Sequence, residues 1–166
     1  MNVIVISGSV GVGKEKLARF LAKRLNYFRL DLHPHYQRIS TSYDREKKCY
    51  VVDLNQFKEL VTEKIKAVKR QAEQDGLIID SHLAHLLPKK IVDLCIILTC
   101  SNLKKLQKNL EKIKYSQQKI RENLDVEIFQ SCLVEAKEEG HRIIVFDAGK
   151  RIKNEEVLRK VKQRLS

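Results

Sequence analysis

The chain has little from which a disulfide framework, a membrane span or a single-strand nucleic-acid platform could be built. Its 166 residues include four cysteines, Cys49, Cys95, Cys100 and Cys132. They form no C-x-x-C pair and no metal-ligand spacing with the five histidines. Cysteine used this way belongs to a reducing, cytoplasmic compartment, with Cys95 as plain core inside an apolar strand. The apolar runs fall well short of the ~20 residues that a membrane helix needs. The N-terminus reads directly as a strand, without the pattern of a signal peptide, so no membrane partner is expected. Aromatic residues make up only 6% of the chain, and no known RNA-binding motif is present, which weighs against a stand-alone RNA-binding protein. There is no internal repeat, low-complexity segment or linker. With 43% hydrophobic residues, residues 1–166 read as a single domain with a real core.

Positive charge is abundant. Lysine plus arginine number 33 against 21 acidic residues, a net charge of +12. Such a balance favours anionic partners such as nucleotides, RNA or a ribonucleoprotein surface, although lysine-rich helices also serve as solvated faces.

Apolar patterning alternates between strand and helix throughout, which predicts an α/β fold with a parallel sheet covered by helices on both faces. Val3-Ile4-Val5-Ile6 is a β-branched run suited to a buried parallel strand. The following helix places Leu17, Ala18, Phe20, Leu21 and Leu25 on one face. Further strands are expected at 27–30, 77–80, 94–98 and 142–146. Helices are expected at 55–74 (buried stripe Phe57, Leu60, Val61, Ile65 and Val68), from 103, at 117–139 and at 155–165. The 117–139 helix should bury Ile120, Leu124, Ile128 and Leu133. Residues 31–52 read as irregular, and a loop that long in a compact domain suits a second substrate-binding insertion.

Between the first strand and the first helix lies Gly8-Ser9-Val10-Gly11-Val12-Gly13-Lys14, a G-x-x-x-x-G-K match in strand–loop–helix context. Glycines let successive N–H groups converge on a phosphate, the helix N-terminus adds its dipole, and Lys14 supplies a mobile cation. The next position ordinarily carries a magnesium-binding hydroxyl but holds Glu15. Two readings stay open: Glu15 ligates magnesium directly or through water, or its charge weakens Mg-ATP binding. Asp80 ends an apolar strand, where a second magnesium carboxylate is expected, although Asp80-Ser81 also suits a simple turn. His82 reads either as an orienter of water or phosphate or as a structural histidine. His33, His35 and His85 with Asp31 lack convincing zinc spacing. Lys112, Lys114, Lys119 and Arg121 form either a cationic lid or a solvated basic face.

Taken together, the motifs resemble the P-loop nucleoside monophosphate kinases, and more narrowly the adenylate kinase isoenzyme-six family, over nearly the whole chain. The resemblance rests on the glycine loop; on Tyr43-Asp44, Cys49 and Asp53; on Asp80-Ser81-His82, similar to the family's D-x-H motif; and on Glu122-Asn123-Leu124-Asp125-Val126-Glu127-Ile128. It implies a five-stranded parallel core, a monophosphate-binding segment at residues 31–54 and a short lid at 112–121. It implies phosphorylation of AMP or another nucleoside monophosphate by ATP with Mg2+, and slow ATP hydrolysis. It also implies a role in maturing small-subunit rRNA through a small-subunit ribosomal protein or pre-ribosomal particle, with possible rRNA contact. By the same resemblance, Gly11, Gly13, Lys14, Glu15 and Lys16 bind the ATP phosphates and Ala148 touches the adenine. Lys14, Asp80 and His82 carry catalysis, and Asp80 and Glu15 face the metal. The chain departs from the family at Glu15, at Ile113-Lys114-Tyr115 where the family has R-G-Y, and at Cys100 in place of an arginine. These departures imply a slow enzyme, or a catalytically degenerate relative acting as a non-enzymatic assembly factor. Lys112 or Lys114 is the expected substitute for the lid arginine, without its bidentate fork.

Overall fold

The computed structural model describes residues 1–46, 49–71 and 73–166. Residues 47, 48 and 72 lie outside the description; they belong to the expected monophosphate segment and to the end of the expected 55–74 helix.

The central strand is β1 (Asn2–Gly8), followed by α1 (Lys14–Leu25) and the short β2 (Tyr27–Leu30). A 3-10 turn (His33–Ile39) then leads to the hairpin β3 (Ser40–Asp44) and β4 (Cys49–Val52). The remaining order is α2 (Leu54–Gln71), β5 (Gly76–Asp80), β6 (Leu94–Thr99), α3 (Leu103–Lys112), α4 (Gln117–Ile128), α5 (Ser131–Glu138), β7 (Ile143–Asp147) and α6 (Asn154–Leu165). Five strands form one sheet in the order β2-β5-β1-β6-β7, all parallel. This is the predicted α/β architecture.

The β-branched run in β1 works because the sheet is covered on both sides. Ile4 and Ile6 point into a cluster with Leu17 and Leu21 of α1, Leu106 of α3 and Val157 of α6. Val3 and Val5, alternating with them, enter the opposite cluster with Phe57 and Val61 of α2 and Ala136 of α5. Because β1 is flanked on both sides, its C-terminal end opens at the middle of the sheet. There Gly8 pairs with Leu98 and Ile6 with Asp80. Open α/β sheets bind ligands at this carboxyl edge.

Two expectations need correcting. Residues 31–52 are more regular than expected: the 3-10 turn buries Ile39, and the hairpin is pinned by the edge-to-face pair Tyr43–Tyr50, with ring centroids 5.1 Å apart. The predicted 117–139 helix is two helices, broken at Gln130, whose φ is +50°. Ile120 and Leu124 pack on one face of the sheet, whereas Leu133 and Ala136 pack on the other. One straight rod cannot serve both faces, so the chain turns between them. Ile128 consequently lies 55% exposed and Glu127 is buried in its place.

Phe57 is fully buried at the centre of the α2 face. Phe57→Ala should lower the unfolding free energy by about 3–5 kcal/mol, read as a reduced urea midpoint with an unchanged slope.

Candidate active site

The glycine loop is held from three sides. Gly8 (φ +143°) passes so close to β6 that a Cβ would lie 2.3 Å from the Leu98 carbonyl oxygen. The Ser9 hydroxyl donates to Glu127 Oε2 at 2.6 Å, and Asn109 of α3 donates to the Gly11 carbonyl at 2.9 Å. Gly13 needs its freedom for a different reason: φ is +92° at the N-terminus of α1, yet a Cβ there would meet nothing within 4 Å. That space faces the cleft. Among the described residues no side chain caps α1, so its first N–H groups point unpaired toward the same space. Open backbone, uncapped donors and a lysine together suit a phosphate chain.

Lys14 Nζ donates to the carbonyl oxygens of Gly8 at 2.9 Å and Ser9 at 2.7 Å. Desolvation pushes its pKa down to about 8, against the raising influence of Cys132, Asp80 and Glu127. An anion placed in the loop would restore the charged form.

Asp80, at the end of β5, carries a feature that the motifs did not reveal. Arg29 of β2 donates to it through Nε at 2.7 Å and Nη2 at 3.0 Å, a bidentate pair sheltered from solvent. The hydrogen bond to Asp80 raises the Arg29 pKa further. Glu15 is exposed and pairs with Arg19 one turn along α1 at 2.6 Å, with Arg29 Nη2 3.9 Å away. The Arg19 hydrogen bond holds the Glu15 carboxyl below its ordinary range. Arg29 escaped notice in the sequence because only the parallel pairing of β2 with β5 brings it to Asp80, 51 residues away.

Tyr36 from the 3-10 turn bonds Ser81 Oγ at 2.7 Å, and its ring lies 6.2 Å from that of His82. His82 remains open to the cleft. The enclosing walls, and then Lys14, His85, His33 and Lys119, push it toward its neutral form. His33 is exposed beside Asp31, whereas His85 is buried with Ser7 Oγ on Nδ1 at 2.7 Å and Glu135 on Nε2 at 2.6 Å.

The cleft of about 550 Å³ is lined by Gly11, Gly13, Lys14, Glu15, Asp80 and His82, with Tyr36, Tyr50, Tyr115 and Lys119 completing the wall. Six of the sequence-derived positions therefore meet. Lys16 and Ala148 do not line it. Lys16 is exposed on α1. Ala148 lies beside the first turn of α3, its carbonyl accepting from Lys105 Nζ at 2.9 Å. Cys100, at the expected arginine position, is buried; its N–H donates to Glu127 Oε1 at 2.6 Å.

A family profile described as an AAA domain matches residues 4–130. An adenylate kinase isoenzyme 6 homolog from Dictyostelium discoideum is 31% identical over 150 residues, covering 87% of this chain and 79% of that one. The chain belongs to the adenylate kinase isoenzyme 6 family. The Caenorhabditis elegans homolog is 27% identical over 146 residues, covering 87% of this chain and 77% of its own length. Among solved structures, shikimate kinase from Acinetobacter baumannii in complex with shikimate superposes with a TM-score of 0.63 at 14% identity. That alignment covers 99% of this chain and 93% of the other, and it supports the fold. A kinase of this family uses a nucleotide, and the uncapped glycine loop fits its phosphates. Magnesium ordinarily keeps several waters and takes one or two carboxylates besides the substrate phosphates, and Asp80 and Glu15 both stand on the cleft wall.

Two outcomes follow for this site. Arg29→Ala leaves the Asp80 carboxylate sheltered without its partner and should cost about 3 kcal/mol in urea unfolding. The Arg29→Ala/Asp80→Ala pair should cost less than the sum of the single changes. The Lys14 penalty for charge in the free protein is full below its lowered pKa and fades as pH rises from about 8 toward 10.5. ATP binding should therefore take up protons at about pH 9, measured by calorimetry in two buffers of different ionisation enthalpy, and Lys14→Met should abolish the uptake.

Proposed function

We propose that this chain is an adenylate kinase-like enzyme that converts ATP and AMP, or another nucleoside monophosphate, to two diphosphates, with slow ATP hydrolysis as a side activity. The observation that carries this reading is the cleft itself: an uncapped helix N-terminus and Lys14 face Asp80, His82 and the tyrosines of the 3-10 turn and hairpin across one space.

In this mechanism Gly11, Gly13 and the first turn of α1 bind the β- and γ-phosphates through N–H groups, and Lys16 adds charge at the outer edge. Lys14 leaves the Gly8 and Ser9 carbonyls to bridge the two phosphates, charged again once they are bound. Ala148 borders the adenine beside the first turn of α3. Residues 31–54 hold the monophosphate, with Tyr36 and Tyr50 as flat walls. Neutral His82 orients the attacking oxygen, donating its ring N–H to a phosphate oxygen of AMP in the kinase reaction and accepting a hydrogen bond from water in hydrolysis. The attacking oxygen forms a bond to the γ-phosphorus as the bond to the β-phosphate oxygen breaks, and the departing ADP needs no proton. Magnesium, when bound by Asp80 and Glu15, neutralises phosphate charge. Residues 112–121 act as the lid that excludes water.

The net charge of +12 suits a partner built on RNA, and with the family resemblance it supports action on small-subunit rRNA maturation through a ribosomal protein or pre-ribosomal particle. A cytoplasmic place of action agrees with the free cysteines. No helix among the described residues is long and apolar enough to cross a membrane.

A second reading draws on the arginine pairing: with Asp80 held by Arg29 and Glu15 by Arg19, the chain would bind its assembly partner without turnover. One assay separates the two readings. Protein with Mg-ATP and AMP should form ADP, and Lys14→Ala should reduce the rate by at least about 10²-fold. No ADP from the unaltered protein, with partner binding kept in Lys14→Ala, establishes the second reading instead.

A further inference from the structure

Of the four basic residues between 112 and 121, three are solvated. Lys112 ends α3 exposed, Arg121 is exposed on α4, and Lys114 sits exposed in the connecting turn with φ +62°. Lys119 differs: it is 8% exposed and lines the cleft with Lys14, Asp80 and His82. Its placement follows from the local chain. The left-handed Lys114 closes α3 through bonds from its N–H to the Glu111 carbonyl and from the Tyr115 N–H to the Leu110 carbonyl. That turn brings Tyr115 back onto the core. Ser116 then caps α4, its hydroxyl accepting the Lys119 N–H at 3.2 Å, which fixes Lys119 in the first turn of the helix. Its ammonium rests 3.6 Å from the centre of the Tyr115 ring.

For a cation this is a poor resting place. A helix N-terminus disfavours positive charge, and Lys14 stands across the same cleft. Among the described residues no carboxylate pairs with Lys119; Asp80 is held by Arg29, Glu15 by Arg19, and Glu127 by Ser9 and Cys100. A tyrosine face returns only a small part of the lost hydration, whereas a sheltered charge ordinarily requires an opposite charge. The missing charge is that of the ligand.

We propose that Lys119 is the lid cation of the transfer reaction, parked on Tyr115 in the free protein and swung onto an oxygen of the transferring phosphoryl group when both nucleotides are present. It takes the part for which the family pattern has arginine at position 113, where this chain has Ile113. Lys112 and Lys114, the substitutes that the sequence offered, remain in solvent. Lys119 donates hydrogen bonds to charge that grows between the two nucleotides and forms no covalent bond. The proposal rests on the kinase reading for its rate effect, and on the geometry of the cleft alone for its effect on binding.

The test compares the full-length protein with Lys119→Met, which keeps the unbranched stem on Tyr115 and removes only the charge. Lys108→Ala and Lys137→Ala, exposed on α3 and α5 outside the lid, are the controls. Lys119→Met should lower kcat for ADP formation by about 10²-fold or more, with the KM for ATP changed less than about threefold. It should weaken binding of bis-adenosine pentaphosphate, which spans both phosphate sites, by at least about tenfold, while each control stays within about threefold. Unchanged kcat and pentaphosphate affinity in Lys119→Met, or an equal loss in a control, overturns the assignment. If the unaltered protein binds the pentaphosphate but forms no ADP, the kinase reading falls and the affinity comparison alone decides Lys119. No pentaphosphate binding by the unaltered protein also overturns it.

Discussion

A single carboxylate beneath the glycine loop ties the site to the fold. Glu127 is buried and accepts the Ser9 hydroxyl on one oxygen and the Cys100 N–H on the other, both at 2.6 Å. It thereby joins the phosphate loop, the end of β6 and the last turn of α4. Two short bonds satisfy a group whose burial would otherwise be costly. Because α4 is anchored at this point, its first turn comes to lie over the cleft, and Lys119 and Tyr115 arrive there with it. The break at Gln130 has the same origin: α4 must end once Glu127 is seated, so that α5 can cover the other face of the sheet.

The second organising feature is balanced charge. The loop position that usually bears a hydroxyl carries Glu15, which would place a bare negative charge beside phosphate. The fold supplies Arg19 one turn away on α1 and Arg29 from β2. Arg29 also grips Asp80, so two carboxylates and two arginines form one cluster at the cleft edge. A planar guanidinium can hold Asp80 with two parallel bonds while lying near Glu15, which a lysine could not do. Glu15 therefore does not stand as a bare charge at the cleft edge.

Beneath the Asp80-Ser81-His82 turn runs a string of polar groups, buried except for Glu135, whose side chain reaches the surface. Ser7 meets His85, His85 meets Glu135, and His141 Nε2 bonds the His85 carbonyl at 2.9 Å. Burial holds His85 below its ordinary pKa, opposed by Glu135. The string links β1, the turn after β5 and α5. It gives the segment bearing the candidate catalytic residues a fixed floor, which loop residues with only solvent contacts would lack.

Much of this was legible in the chain because the signals were local. Val3-Ile4-Val5-Ile6 reads as a doubly covered strand and Gly8 to Lys14 as a phosphate loop, since both readings follow from patterns within a few residues. The core stripe of α2 and the apolar strand ending at Asp80 were equally plain. Tertiary structure alone decided the rest. Arg29 reaches Asp80 only through the strand order, and Glu127 replaces Ile128 as the buried residue only because α4 stops at a loop 118 residues away in sequence. Lys119 is indistinguishable by composition from Lys112 and Lys114, and only the packed turn at Lys114 and Tyr115 selects it. A linear pattern records which residues are apolar or charged near one another, whereas the pairing of distant charges depends on where the folded elements come to rest.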